Sequence, residues 1–443
     1  MKKRASVSVL ILVSIVFFSL LASCSQDVNP SGEIEVSNTF GASLKSGKQI
    51  TVNATYRPEY FSSDSDVFNK DMALLSFVGA TSMNKQACQS FYDTMGFTRQ
   101  LSFGWDSEPT ADSVAFLFAY KNIGGSEVVA VTVRGFNYDS EWSNNLTIGA
   151  TGDHEGFSLE AEKIFTALEF YTGFYVSNPD AMKIWIMGYS RGGAISDVLA
   201  HKVLYSGLVD EDNLYAYTFE APSSLCNEYK YSCVHDVRNS GDLIPYIPPV
   251  EWQLYRAGVE TDIYSENIRT YLIEDLGFDE DDFPEFDNTK YSTPSSFITD
   301  YLINGLEKVE MLSTRAAFAD NVQTPLSGFA VILMADRKKG MSVVKDYFSE
   351  KTETEILTFV LSCIAYPDYI YTTFKPLFID AGVSFEDQKL MDASTFINSF
   401  LKAENALVFI TDVFTNYSGN AKYVALSHFP EVTYVALKHY QPK

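Results

Sequence analysis

A serine lies in a glycine-rich turn between a strand pattern and a helix pattern. Residues 188–192 read GYSRG, after the apolar run 183–187 (KIWIM) and before a helical pattern over 191–204. A sharp turn of this form lifts a serine hydroxyl above the end of a sheet, and its glycines let the strand and the helix approach closely. The setting makes Ser190 the candidate nucleophile, with Gly188 and Gly192 as the glycines of the turn.

A serine hydroxyl becomes a strong nucleophile when a histidine takes its proton and a carboxylate orients that histidine. On a strand-turn-helix scaffold the acid follows the serine in the chain and the histidine comes last. Asp242 suits the acid, because it follows a predicted strand in the turn 239–245 (NSGDLIP). An Asx turn is the alternative role for an Asp beside Gly. Asp236 is the rival acid, but inside a strand it would point to one face of the sheet.

The chain has five histidines, and two of them follow Asp242. His428 lies in a turn that contains a proline, whereas His439 lies four residues from the end, where fraying is expected. The order of the residues therefore predicts His428 as the base. The remaining histidines precede the acid and are interpreted as structural or surface residues: His154, His201 and His235.

Strand and helix patterns alternate through the first half of the chain. Two β-rich runs at 113–121 and 127–134 are predicted to form a hairpin, and 155–175 has helical periodicity. The runs 214–219 and 233–239 are read as further strands. This alternation predicts an α/β fold with a mostly parallel, helix-covered central sheet.

The second half has a different texture. An acidic loop at 274–287 precedes helical patterns over about 295–315, 325–365 and 393–415, and 421–439 is again rich in β-forming residues. We therefore predict a core over 51–257, a helical insertion over 258–420, and a return to the core over 421–443. Such an insertion would lie over the carboxyl ends of the strands as a cap, where ligands bind in sheets of this type.

The amino terminus has the pattern of a targeting segment. Lys2, Lys3 and Arg4 precede an apolar run over 7–21, which predicts a signal peptide. The run ends in LASC at 21–24, which resembles the lipobox of bacterial lipoproteins. The resemblance implies cleavage after residue 23 and a lipid on Cys24, with a simple signal peptide or anchor as the alternative. Ser25 then implies the outer membrane in a two-membrane bacterium, and 24–50 is predicted to be a flexible tether.

Composition excludes several classes of protein. The 443 residues carry 33 Lys and Arg against 57 Asp and Glu, a formal net charge of −24, which argues against nucleic acid as a partner. The charge also disfavours docking on anionic lipid. The sequence predicts no cofactor and no metal, and it leaves open the oligomeric state and a disulfide between Cys226 and Cys233.

The sequence resembles the class 3 lipase family, α/β-hydrolases that include the secreted fungal triacylglycerol lipases. The resemblance covers roughly 70–255 and 421–440. Its motifs, in chain order, are VTVRGF at 131–136, EWSNN at 141–145, HEGF at 154–157, GYSRG at 188–192, TFEAP at 218–222, NSGDLIP at 239–245, and HFPE at 428–431 with Tyr434 beyond.

The resemblance implies an α/β-hydrolase fold with a long helical cap between the acid and the histidine. It implies Ser190 as nucleophile, Asp242 as acid, His428 as base, and backbone N–H groups of Arg191 and Phe136 as the oxyanion hole. Phe136 stands where the family has Thr or Ser, and loss of one such donor costs about 3 kcal/mol. Glu220 stands where the family has Gly, either near the level of the turn or facing the surface.

These observations predict an extracytoplasmic serine hydrolase that cleaves acyl esters, a lipase or esterase acting through an acyl-enzyme. The expected partners are an ester substrate and, through Cys24, a membrane. The apolar runs 329–334 and 370–374 of the cap either line an acyl pocket or simply cover the sheet. Two alternatives stay open: a thioesterase or amidase with the same triad, and a catalytically impaired surface binding protein.

Overall fold

The computed structural model describes residues 33–105, 113–135 and 140–442. The predicted signal peptide and Cys24 lie outside the described residues. From Glu33 onward the chain forms one compact unit. In the described ranges, no helix is both long enough and apolar enough to cross a membrane.

The central sheet has seven strands in the described part of the chain, arranged in chain order from β3 to β9. A separate antiparallel hairpin precedes it. The hairpin is β1 (Ile34–Gly41) and β2 (Gln49–Tyr56), and the sheet is β3 (Thr98–Phe103), β4 (Phe116–Ile123), β5 (Ser126–Val133), β6 (Met182–Tyr189), β7 (Leu214–Phe219), β8 (Tyr231–Arg238) and β9 (Gly258–Asp262).

The strand directions confirm the predicted mostly parallel sheet. β3, β4 and β5 pair antiparallel, and β5 through β9 pair parallel. All residues of β7, and all but one of β5 and of β6, are buried, which is typical of parallel strands covered on both faces. The carboxyl ends of β5 to β8 therefore meet at one edge of the sheet, where the predicted site residues are attached.

Helices cover both faces of the sheet. On one face α1 (Lys70–Ala80) packs with the hairpin around Phe77 and Trp185. On the other face α3 (Glu155–Tyr175) and α4 (Arg191–Ser206) pack over the alternate side chains of β5 and β6. The remaining helices are α2 (Lys85–Thr94), α5 (Ile268–Leu276), α6 (Pro294–Phe297), α7 (Asn304–Glu307), α8 (Arg315–Phe318), α9 (Thr324–Ser349), α10 (Glu353–Ala365), α11 (Tyr369–Ala381), α12 (Asp387–Lys402), α13 (Ala406–Asn416), α14 (Ser418–Leu426) and α15 (Pro430–His439).

The inserted region is helical, as the sequence predicts, and has an interior of its own. Ile332 of α9, Phe374 and Phe378 of α11, and Leu390 of α12 form a separate buried cluster. Ile370 belongs to the same cluster. The run 370–374 therefore builds the interior of the cap and does not line an acyl pocket.

The predicted tether over 24–50 is wrong for its described part beyond residue 33. β1 occupies Ile34–Gly41, and alternate residues Val36, Asn38 and Phe40 are buried. Of the Ser, Gly and Asn residues that suggested a linker, Ser37 faces solvent, Asn38 is buried, and Ser43, Ser46 and Gly47 lie in the turn between the strands. Alternation of period two is the signal that identifies this strand.

The β-rich reading of 421–439 is also wrong, because this segment forms α14 and α15. Val432, Val435 and Ala436 lie at helical spacing and are buried against the core. β-branched residues favour strands, but burial of one helical face overrides that preference. The core also extends past the predicted boundary at 257, because β9 pairs with β8.

Candidate active site

Ser190 lies at the sharp turn between β6 and α4. Its backbone has φ 54° and ψ −123°, a strained conformation for a residue with a side chain. A side chain at Gly188 would overlap the carbonyl group of Gly192, so the turn requires glycine where the strand meets the helix. The local sequence thus holds the Ser190 hydroxyl at the carboxyl end of the sheet.

The three residues of the predicted triad are hydrogen-bonded in series. Ser190 Oγ lies 2.7 Å from His428 Nε2, and His428 Nδ1 lies 2.6 Å from Asp242 Oδ2. Asp242 is fully buried, whereas 21% of the His428 side chain is exposed. The structure therefore joins groups separated by 238 and 186 positions in the chain, in the arrangement that transfers a proton from serine to histidine.

The turn after β8 presents Asp242 to His428. The Asp242 N–H donates to the Asn239 carbonyl at 2.8 Å. Asp242 Oδ1 accepts the Ile244 N–H at 2.8 Å, and Oδ2 is left for His428. The Asx-turn role and the role as partner of the histidine therefore belong to the same carboxylate.

His428 lies in the turn between α14 and α15. Pro430 occupies the first turn of α15 and ends the preceding turn. The Tyr189 hydroxyl, on the strand that ends in Ser190, donates to the His428 carbonyl. The base is thus held by its backbone as well as by Asp242.

The rival residues have other partners. His439 Nε2 lies 2.8 Å from Asp275 Oδ2, and the ring stacks on Tyr271. Asp236 accepts from the Thr218 hydroxyl at 2.6 Å and from the Gly258 N–H at 3.0 Å. Neither rival reaches Ser190 or His428 through these contacts.

The other histidines have structural surroundings. His154 caps α3, where its Nδ1 accepts the Phe157 N–H, and burial lowers its pKa to about 3, so the ring stays neutral. His201 pairs with the Tyr231 hydroxyl and His235 with the Ser65 carbonyl. Cys226 and Cys233 are free thiols, which answers the open question about a disulfide.

The predicted oxyanion hole is only partly within the described residues. The Arg191 amide is at the first position of α4, and a helix N-terminus favours negative charge. Gly135 packs directly on the turn, since a side chain there would overlap the Tyr189 carbonyl. Phe136, the second predicted donor, lies outside the described residues.

A cavity of about 450 Å³ opens beside Ser190 and His428. Ligand pockets usually range from about 300 to 1,000 Å³. Met334 and Lys338 of the cap helix α9 form part of its wall, so this end of the run 329–334 does face the site. The lining includes the apolar side chains of Leu146, Ile148, Phe157, Ile244, Ile247, Met334 and Phe429 and of two prolines, Pro222 and Pro248.

A buried ion pair supports the helix that carries the nucleophile. The Arg191 guanidinium pairs with Glu160 of α3, and both side chains are almost fully buried. Glu160 also accepts from Asn144 Nδ2 at 2.8 Å. Sequence reasoning considered only the Arg191 backbone and missed this pair, although a glutamate within an apolar helical pattern was a signal.

We expect Glu160→Gln to lower the free energy of unfolding by about 3–5 kcal/mol, because it removes the carboxylate that neutralises a buried cation. Urea unfolding measures the change. The matched control is Glu162→Gln on the same helix, where the pair with Lys202 is exposed and about 0.5 kcal/mol is expected. Equal effects in the two variants would contradict the assignment.

A mostly parallel sheet, covered by helices on both faces and ending in a strand-turn-helix serine beside a histidine and an acid, defines the α/β-hydrolase fold. Residues 130–252 match the family model of the lipases (class 3), a segment that contains Ser190 and Asp242. Over this segment the chain is similar to the class 3 lipases, and its fold and site geometry are those of a lipase-like carboxylic ester hydrolase.

Solved structures with a similar fold include fungal lipases. A fungal lipase-inhibitor complex is 16% identical, with 44% of this chain and 79% of that chain covered and a TM-score of 0.35. The Rhizomucor miehei lipase propeptide complex is 17% identical, covering 45% and 71%, with a TM-score of 0.34. Lipase from Rhizopus microsporus var. chinensis is 19% identical, covering 47% and 80%, with a TM-score of 0.33. No curated protein matches the sequence.

Proposed function

We propose that the protein is a lipase or esterase that hydrolyses neutral acyl esters through an acyl-enzyme on Ser190. The observation that carries the proposal is the hydrogen-bonded series Ser190, His428 and Asp242 at the wall of an apolar cavity. A serine positioned in this way can attack an ester carbonyl while its proton passes to the histidine.

The first half of the reaction forms the acyl-enzyme. Ser190 Oγ bonds to the carbonyl carbon as its proton moves to His428 Nε2, and the carbonyl electrons move to the oxygen. When the tetrahedral intermediate collapses, the bond to the alcohol oxygen breaks and the His428 proton goes to that oxygen. Asp242, bonded to Nδ1, stabilises the imidazolium that forms in between.

The second half repeats these steps with water. His428 takes a proton from water as the hydroxide adds to the acyl carbon, and the proton then returns to Ser190 Oγ as the acid is released. The His428 side chain is partly exposed, so water reaches the ring. The developing oxyanion is stabilised by the Arg191 amide at the helix N-terminus and, by the family resemblance, by the Phe136 amide.

Two features support neutral, apolar acyl groups as substrates. The cavity wall is mostly apolar, which favours a hydrocarbon chain over a charged one. The formal net charge of −24 opposes the approach of anionic esters. Acylglycerols and simple carboxylic esters fit both features.

The test is a series of p-nitrophenyl esters of increasing chain length. We expect Ser190→Ala to abolish hydrolysis of every ester, and Met334→Trp to reduce the rate on long relative to short chains by about tenfold, because it fills the cap side of the cavity. Met341→Trp, exposed on the same helix, is the matched control. Full activity in Ser190→Ala would refute the function, and an unchanged chain preference in Met334→Trp would refute the acyl pocket.

The location of the enzyme outside the cytoplasm, with a lipid on Cys24, is part of the proposal and rests on the sequence pattern at 2–24. One acyl chain binds membranes only marginally, but several chains on one residue bind stably. We expect Cys24→Ala to move the protein from the membrane fraction to the soluble fraction and to remove metabolic labelling with an alkyne fatty acid. Unchanged labelling would contradict the assignment.

A further inference from the structure

A second buried carboxyl group neighbours the acid of the site. Glu220 follows β7, its φ is 48°, and its side chain is fully buried, so the option that it faces the surface is wrong. The Asn239 N–H donates to both of its oxygens, at 3.1 and 3.0 Å, and the Thr433 hydroxyl donates to Oε1 at 2.9 Å. The neighbouring acid is Asp242, whose negative charge is, after burial, the main cause that raises the pKa of Glu220.

These contacts connect the two turns that carry the acid and the base. Asn239, which donates to Glu220, also accepts the Asp242 N–H. Thr433 lies on α15, the helix directly after His428, and its hydroxyl is 3.2 Å from the Tyr189 hydroxyl that donates to the His428 carbonyl. The Glu220 side chain thus connects the turn that carries Asp242 to the helix that follows His428. These two segments are about as far apart in the chain as the acid and the base are.

The charges and contacts around Glu220 and Asp242 determine which of these two carboxyl groups carries a proton. Two buried carboxyl groups in contact do not both ionise. Glu220 accepts from the neutral Asn239 N–H and Thr433 hydroxyl, whereas Asp242 accepts from the His428 ring that becomes cationic in the reaction, so the proton of the pair lies on Glu220. Burial and the negative charge of Asp242 raise the pKa of Glu220 well above its ordinary value.

The other titratable groups near Glu220 do not change this assignment of the proton. Tyr189, on β6, is a buried neutral phenol whose pKa burial raises well above its usual range. Glu431, on α15, is buried and accepts the Leu44 N–H, and burial raises its pKa too. As long as His428 is neutral, none of these groups, Asp242 included, carries a positive charge that would favour the ionised form of Glu220.

We infer that Glu220 is a positioning residue that works as the neutral carboxylic acid, donating to Asp242 while it joins the acid turn to the helix after the base. The inference rests on the proposed function and adds a residue to its machinery. A neutral Glu220 leaves one negative charge, that of Asp242, facing His428. It holds Asp242 without competing for the His428 proton.

Two substitutions test this role through the pH dependence of kcat/KM. Glu220→Gln keeps a donor toward Asp242 and an acceptor toward Asn239 and Thr433. We expect its kcat/KM within about threefold of wild type and the acid limb of its pH profile within about 0.3 unit. Glu220→Ala removes the links to the acid turn and to the helix after the base. We expect its kcat to fall by roughly tenfold or more and its KM to stay within about twofold of wild type.

A second measurement does not depend on catalysis. A carboxyl whose folded pKa is raised keeps its proton in the native state after the unfolded chain has lost it, so stability falls as pH rises above the ordinary Glu pKa of 4.5 toward the raised value. Urea unfolding across this range should show a smaller decline for Glu220→Gln than for wild type. The comparison remains valid even if Ser190→Ala shows that the proposed function is wrong.

Several results would overturn the inference. A downward shift of the acid limb by about one unit in Glu220→Gln would mean that an ionised Glu220 had been acting on His428. Parallel stability curves for wild type and Glu220→Gln, loss of folding or activity in Glu220→Gln, or full activity in Glu220→Ala would each refute the neutral positioning role.

Discussion

Replacing His428 with alanine should lower kcat/KM on a short p-nitrophenyl ester by about 10⁴-fold or more, while the protein stays folded. Among the described residues His428 is the base bonded to Ser190 Oγ, and removal of the base from a triad has effects of about this size. Initial rates at saturating and subsaturating ester concentrations measure the loss.

The other histidine after the acid supplies the matched control. His439 bonds to Asp275 and stacks on Tyr271, so His439→Ala should keep activity within about twofold and affect only stability. If His439→Ala abolished hydrolysis and His428→Ala did not, the assignment of the base would be wrong.

Asp242→Asn should reduce kcat by about 10⁴-fold with little change in structure, because an amide in this place favours the wrong tautomer of His428. The carboxylate now accepts the Nδ1–H at 2.6 Å, and an asparagine amide would donate toward the same nitrogen. Steady-state kinetics with the same ester give the size of the effect.

Asp275→Asn is the matched control for this substitution, since it changes the carboxylate that faces His439 in the same chemical way. Its kcat should remain within about twofold of wild type. If the kcat of Asp242→Asn stayed within roughly tenfold of the wild-type value, Asp242 would not be the residue that orients the base.

The sequence predicts the sheet well because local patterns determine it. The runs at 113–121, 127–134 and 214–219 become β4, β5 and β7, and the helical periodicity at 155–175 becomes α3. Ser190 could be singled out because a strand-turn-helix serine needs glycines at fixed spacing. Asp242 and His428 followed from chain order and from the turns around them.

Other features depend on partners far away in the chain, and no local pattern reveals them. The ion pair of Arg191 with Glu160 spans 31 positions, and the contact of Glu220 with Thr433 spans 213. Local patterns also misled at both ends of the core. The polar residues of β1 suggested a linker, and the valines of α15 suggested a strand. In both segments tertiary packing overrides the local preference.

The two apolar runs of the cap have different roles: one contributes to the cavity wall and the other to the interior of the cap. Met334 forms part of the cavity wall beside Ser190, whereas Ile370 and Phe374 lie in the interior of the cap. An apolar helical stripe has the same pattern in both roles, and only the packing of the helices distinguishes them.

The most direct test of the proposed nucleophile is labelling with a fluorophosphonate, which bonds covalently to an activated serine. We expect wild type to be labelled at one site, mapped by peptide mass spectrometry to Ser190, and we expect Ser190→Ala to take up no label. Absence of label from folded wild type, or undiminished label in Ser190→Ala, would contradict the central claim that Ser190 is the activated nucleophile of this protein.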